Sequence, residues 1–285
     1  MQFLDNAGLV ELSFPKKRFG YHVVYDRDIY DAVDFAHRHN FGYIVPDLMI
    51  PRFWPENIGP SERRRIRRYA ADHGVSISFH GPSDNLNLAA PYPEVRRGIL
   101  QRMKLCLELA RDQEAERFTI HPSQPTNFAS DGKPGTFLED HRGIYADALR
   151  ESMMEIAATG EGVQICVENE PLTPFIESVL EELMAEDSLF LTLDVPKAHD
   201  PAKGAPLERV ESFYRRHIDR VKEAHLHDKQ PGGTFHDILG FGEVEIGKYL
   251  QMLAPNDVHF TLEVRPRENA YRSFLWLENL WNELF

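Results

Sequence analysis

A chain of 285 residues is too long for one small domain and close to the roughly 250 that an eightfold strand and helix barrel needs. With 45 acidic against 32 basic residues the formal net charge is -13, which repels a polyanion and argues against duplex nucleic acid as a partner. No window approaches 18 uninterrupted apolar residues, and Met1 to Leu12 carries Asp5 and Glu11 in place of a basic leader, so neither a membrane span nor secretion is expected. Cys106 and Cys166 both sit among apolar residues and read as buried free thiols, which suits a reducing cytoplasm.

Eight short apolar runs read as strands: Leu9 to Phe14, Tyr43 to Pro46, Val75 to His80, Arg117 to His121, Val163 to Glu168, Leu189 to Asp194, Val221 to His225 and His259 to Glu263. Between them, Asp28 to His39, Ser61 to His73, Pro93 to Arg111 and Asp140 to Ala158 place apolar residues three and four apart, the period of a helix packed on one face. Ser61 is positioned to cap the second of these helices and Gly74 to stop it. The arginines from Arg63 to Arg68 read as its solvated face. Strand and helix alternate along the whole chain, which predicts one α/β domain over residues 1–285, a single (β/α)8 TIM barrel. Gly and Pro gather after the strands, in 81–93, 122–135, 196–206 and 231–242, and such loops ring the mouth of a barrel, where active sites form.

From the third strand to the eighth, every strand candidate finishes on a side chain able to bind a metal: His80, His121, Glu168, Asp194, His225 and Glu263. In a barrel those ends converge on one mouth. Mixed imidazole and carboxylate ligands suit a divalent transition metal, zinc or manganese above all, with one or two ions per chain. Such an ion polarises a carbonyl or phosphoryl oxygen or activates water. His22, His37, His39, His73, His141, His217 and His259 fall at no predicted strand end and are expected in packed or solvated positions.

The segments Ser78-Phe-His-Gly-Pro with Asn85-Leu-Asn-Leu, Thr119-Ile-His-Pro-Ser, Val167-Glu-Asn-Glu-Pro, Leu193-Asp-Val, Ala224-His-Leu-His-Asp-Lys, Phe235-His-Asp-Ile-Leu-Gly-Phe-Gly and Thr261-Leu-Glu-Val resemble, in order, those of the xylose isomerase-like barrels. That superfamily includes endonuclease IV and many sugar isomerases and epimerases. The endonuclease IV pattern implies that His80 and His121 bind a first ion, that Glu168 bridges it to a second, and that Asp194, His225 and Glu263 complete the second site. A third ion would need Asp-x-x-His, which here becomes Asp194-Val-Pro-Lys-Ala-His199, and a carboxylate two residues before His236, where Thr234 stands. His199 and His236 are therefore expected at the substrate, together with Lys229 and Arg265, which lie just beyond ligand-bearing strands; Arg267 shares that position.

The epimerase branch implies one ion held by Glu168, Asp194, His225 and Glu263, with Glu168 and Glu263 as the acid and base pair. It tends to carry a His three residues after the Asp and an Arg six after the metal-binding His, where this chain has Lys197 and Pro231. The expected function is metal-dependent hydrolysis of a phosphoester, in particular a phosphodiester in a small sugar- or nucleotide-like molecule, for which the superfamily's cobamide-remodelling phosphodiesterases are a precedent. His80 and His121 favour it, because they supply a site that a simple epimerase does not need. The alternative is a metal-dependent sugar or polyol isomerase or epimerase acting through Glu168 and Glu263. A barrel without chemistry is the third class.

Overall fold

The structure, a computed structural model, describes residues 13–123, 125, 136–170, 172–185, 189–198, 207–231, 233 and 235–285. Its strands are short, apolar and buried almost throughout, as a parallel sheet covered by helices requires. They are β1 (Phe19–Val23), β2 (Tyr43–Pro46), β3 (Ser76–Ile77), β4 (Phe79–His80), β5 (Arg117–Ile120), β6 (Gln164–Glu168), β7 (Phe190–Asp194), β8 (Val221–Leu226) and β9 (His259–Leu262). All pairings are parallel, in the order β3-β2-β1-β9-β8-β7-β6-β5-β4. β3 and β4 are two halves of one strand, interrupted at Ser78, so both ends of the sheet belong to the same stretch of chain. Ser78 N donates to Ile44 O (3.0 Å) and Leu48 N to His80 O (2.9 Å), and these bonds close the seam of a single TIM barrel.

The outer layer holds α1 (Ile29–Arg38), α2 (Pro60–Asp72), α3 (Pro93–Asp112), α4 (Thr136–Asp140), α5 (Arg142–Thr159), α6 (Pro174–Met184), α7 (Val195–Ala198), α8 (Leu207–Arg216), α9 (Ile246–Leu253) and α10 (Arg267–Leu284). Local chemistry sets several of their starts. Asp28 accepts from Asp31 N (2.8 Å) at the head of α1 and Thr173 accepts from Ile176 N (3.3 Å) at the head of α6, each satisfying a donor that the first turn leaves free. α10 lays Phe274, Leu277 and Trp281 on the barrel wall, where the rings of Phe19 and Phe260 stack at 5.0 Å. Among the described residues no helix is long and apolar enough to cross a membrane, and Cys106 and Cys166 are buried and free.

Three local expectations change. The first strand was expected at Leu9 to Phe14; residues 1–12 lie outside the described residues, Ser13 and Phe14 are not in a strand, and β1 takes that place in the barrel. Its five residues are buried, and Gly20 lets the Tyr43 ring of β2 lie close, since a Cβ there would stand 2.5 Å from that ring. Ser61 does not cap α2: Gly59 holds the cap position without a side chain, Pro60 fills the first helical turn where its missing N–H costs nothing, and Gly74 stops the helix at φ 64°. The helix expected from Asp140 to Ala158 is α4 and α5, broken at His141. The arginines of α2 do face outward, pairing with Glu62, Asp112 and Glu114.

Candidate metal centre

Side chains alternate along a strand with period two, so the residues that end the strands and those two positions earlier form two stacked layers inside the barrel. The lower layer contains Thr119, Thr192, Glu223 and Thr261, which hydrogen-bond to one another across the interior. The upper layer contains all six predicted ligands, His80, His121, Glu168, Asp194, His225 and Glu263. It also contains two residues the sequence reading placed elsewhere or passed over: His22 on β1 and Asp47 directly after β2, both buried.

His80 Nε2, His121 Nε2 and Glu168 Oε2 form a nearly equilateral triangle, 3.3 Å between the two imidazoles and 3.3 and 3.2 Å from each to the carboxylate. Ligand atoms on a tetrahedral ion with bonds of about 2.0 Å lie about 3.3 Å apart, so the triangle has the size of one face of such a site. His80 Nδ1 donates to Gly81 O (2.9 Å), which aims Nε2 at the triangle. Burial alone would lower the His80 imidazole, but the Glu168 contact, with Asp47 behind it, lifts it to about 9. The crowding of these three donor atoms thus favours a cation, whether a proton or a metal ion.

The second group adjoins the first. His225 Nδ1 lies 3.4 Å from both Glu168 Oε2 and Glu263 Oε1, and its Nε2 lies 3.6 Å from Glu223 Oε1 in the layer below. Neither ring nitrogen of this buried histidine makes a hydrogen bond among the described atoms. Burial works against its charge, yet Glu263 and Glu168 push the ring well above its ordinary pKa. Burial would likewise raise Glu168, but Lys197, then His121 and His225, hold it well below the carboxylate range. His22 bridges Asp47 (Nε2 to Oδ2, 3.5 Å) and Glu263 (Nδ1 to Oε1, 3.5 Å), and against the effect of burial it draws Asp47 down to about 2. On Asp194, Oδ2 lies 3.2 Å from His227 Nε2; because His236 N–H donates to His227 Nδ1 (3.0 Å), that Nε2 is free to act as the donor.

The triangle opens into a cavity of about 540 Å³ lined by His22, Asp47, His80, His121, Lys197, His236, Glu263 and Arg265, with Ser83, Asn85, Asn87 and Ser123 on its loop side. His236 donates from Nδ1 to Glu263 O (3.0 Å), and burial pushes its ring down to about 4. Arg265 has a buried Nε with no partner among the described atoms and an Nη2 3.5 Å from His22 Nδ1. Lys229 is not brought to the cavity: its ammonium lies 5.3 Å from the Phe235 ring centroid, so proximity to a strand end in sequence does not set its direction. Arg267 pairs with Asp26 (2.5 Å) and Asp31 (2.8 Å) instead. His199 lies outside the described residues.

The sequence reading missed His22, Asp47 and the reach of Lys197. A signal existed for two of them. Asp47 directly follows the strand candidate ending at Pro46, and His22 sits near the end of Phe-Gly-Tyr-His-Val, an apolar run that reads as a strand once it is preferred to Leu9 to Phe14.

The chain matches the xylose isomerase-like TIM barrel family over residues 33–280. It is 27% identical over 216 residues to the Uncharacterized protein MJ1188 of Methanocaldococcus jannaschii, covering 70% of this chain and 72% of that one. Among solved structures, a D-tagatose 3-epimerase-like protein superposes with a TM-score of 0.72 at 19% identity, covering 93% of this chain and 97% of its own. The TTHB071 protein of Thermus thermophilus, soaked with ZnCl2, superposes with a TM-score of 0.65 at 22% identity over 93% and 98%. At these identities the two structures speak for the fold alone. The extent of the family match, on a closed barrel whose strand ends carry this arrangement of imidazoles and carboxylates, establishes that the chain belongs to the xylose isomerase-like TIM barrels.

Proposed function

We propose that this protein is a metal-dependent hydrolase of a small phosphoester, a phosphodiester in particular, with zinc or manganese held by His80, His121 and Glu168. The single observation that carries the reading is the triangle of donor atoms, 3.2 to 3.3 Å on each edge and open to the cavity. An ion bound there supplies Lewis acidity to a phosphoryl oxygen and activates water. The remaining work falls to the chain. Arg265, with its unpartnered Nε, is the group for a phosphoryl oxygen of the substrate. Glu263, kept ionised by His225 first and then His22 although burial opposes it, faces the cavity as the proton acceptor. His236, neutral above about pH 4, offers substrate an uncharged polar contact. A cavity of about 540 Å³ suits a sugar- or nucleotide-sized molecule, and the net charge of -13 disfavours a duplex.

The test is elemental analysis of the purified protein beside its His121→Ala variant, with hydrolysis of bis(p-nitrophenyl) phosphate as the probe. Bound metal and hydrolysis that are lost together in the variant support the reading. Hydrolysis that survives the variant overturns it.

A second reading has one observation in its favour. His225 Nδ1 stands at equal distance from Glu168 and Glu263, 3.4 Å from each, so the two carboxylates flank one point as the acid and base pair of a sugar isomerase or epimerase would. Incorporation of solvent deuterium into a sugar without hydrolysis would favour it.

A further inference from the structure

An ion in a second position would need Glu168 and Asp194, and this chain already answers both with its own donors. Glu168 turns Oε2 toward the histidine triangle and Oε1 toward Lys197 Nζ, 2.9 Å away. Both oxygens of Asp194 are engaged: Oδ1 accepts from Lys197 N–H (2.9 Å), and Oδ2 lies 3.2 Å from His227 Nε2 and 3.2 Å from Lys197 Nζ. The ammonium also pairs with Glu170. An ion about 2.1 Å from Glu168 Oε1 and Asp194 Oδ2 would have to enter the space in which the ammonium makes these contacts. The side chain is 9% exposed, so little water screens the repulsion between an ammonium and a dication placed side by side.

The local fold fixes this arrangement. α7 starts directly after β7, Val195 and Ala198 are buried, and the intervening Lys197 is thereby anchored at the rim of the upper layer. A lysine on a long solvated loop would have no such constraint.

We infer that Lys197 is a built-in cation that takes the place of a second metal ion, so that the centre holds one divalent ion, at His80, His121 and Glu168. The inference rests on a metal at the triangle but not on hydrolysis being the reaction. Lys197 sets one positive charge between Glu168 and Asp194, cannot be removed by a chelator, and presents N–H donors rather than a Lewis acid to the cavity it lines. It also turns Glu168 from a bridge between two ions into a bridge between an ion and an ammonium.

The experiment is a zinc titration of the chelator-stripped full chain, with stoichiometry read by calorimetry and by elemental analysis after removal of excess, and folding checked by circular dichroism. The wild type is expected to take one ion per chain, His121→Ala none, Lys197→Arg one, and Lys197→Gln two. Titration with cobalt provides a second reading: Lys197→Gln alone should develop the magnetic coupling of two ions sharing a carboxylate. Two zinc ions in the wild type overturn the inference whether or not any variant folds. So does a Lys197→Gln protein that folds and stays at one, or a wild-type ion that survives His121→Ala. A one-zinc wild type that leaves phosphodiesters intact and exchanges deuterium into a sugar overturns the hydrolase reading and leaves this inference standing.

Discussion

In the lower layer of the barrel interior, Glu223 accepts from Thr119 Oγ1 (3.0 Å) and from Thr261, while Arg117 approaches to 3.9 Å and covers the Tyr43 ring at 4.9 Å. In the layer above, at the strand ends, Glu168 and Glu263 meet imidazoles at 3.2 to 3.5 Å, and the imidazoles of His80 and His121 meet each other at 3.3 Å. Both layers are buried and both are polar, so burial does not separate them. The kind of partner does. A threonine hydroxyl always has a proton to give a carboxylate, so both oxygens of Glu223 are satisfied within the floor, although Arg117 Nε and Nη2 and Ser78 Oγ make no hydrogen bond among the described atoms. A neutral imidazole has only one N–H to give, so the converging nitrogens and carboxylate oxygens of the mouth hold more acceptors than donors, an arrangement that favours a cation.

Glu168→Gln should break this contrast most severely. It removes the oxygen that faces His80 and His121 and the negative charge that Lys197 neutralises. Hydrolysis is expected to fall by about 10³-fold or more, with loss of the bound ion, measured by steady-state rate and elemental analysis. A variant that keeps its ion and its rate would show that the mouth is no different in kind from the floor.

Glu223→Gln is the matching change one layer down. Thr119 and Thr261 donate to different oxygens of Glu223, so the amide can still accept from one of them while the other hydroxyl loses its acceptor, and the side chain no longer draws the His225 ring with a charge. Metal affinity or activity should drop by about 10- to 100-fold, the usual effect of removing an outer-shell partner. A fall as large as that of Glu168→Gln would place Glu223 in the centre itself.

Acid separates the layers by stability rather than rate. Although burial would raise it, the contacts to His225, Arg117 and Thr261 hold Glu223 down to about 2, against 4.5 for a free glutamate. Its stabilisation is therefore complete above about pH 4.5 and disappears as pH falls toward 2, a loss on the order of 2 to 3 kcal/mol. Denaturant midpoints of the metal-free protein at pH 5 and pH 3 should record it, and Glu223→Gln should show a flatter profile. Equal slopes for the two proteins would remove Glu223 as the cause.

Most of the upper layer is legible in the sequence because each strand is a short apolar run and a ligand is the residue at which the run stops. Asp194 and Glu168 are such residues. The same logic fails for His22, since Lys16 to Arg18 precede its strand directly and Leu9 to Phe14 offers a rival apolar run. Lys197 is visible as a departure from a family pattern, yet its contacts with Glu168 and Glu170 cross from one strand to the next and have no periodicity to betray them. The tautomer of His227 depends on a backbone N–H nine residues away.

Lys229 supplies the smallest expected effect and the sharpest control on what counts as the mouth. From the sequence it stands four residues beyond His225, as near to the ligands as Arg265 is to Glu263 in kind if not in distance. In the fold its ammonium turns to the Phe235 ring, while its backbone N–H bonds Asp228 Oδ1 (2.9 Å) and its carbonyl accepts from Glu243 N (3.1 Å), both of which any residue other than proline can do. Lys229→Ala should therefore change kcat/KM by less than about twofold and cost about 1 kcal/mol, the value of a half-exposed cation over a ring. Arg265→Ala, whose guanidinium lines the cavity, should raise KM for a phosphodiester well beyond that. If steady-state kinetics show the two variants equally impaired, the loop after β8 folds over the substrate and the mouth is wider than its ligands.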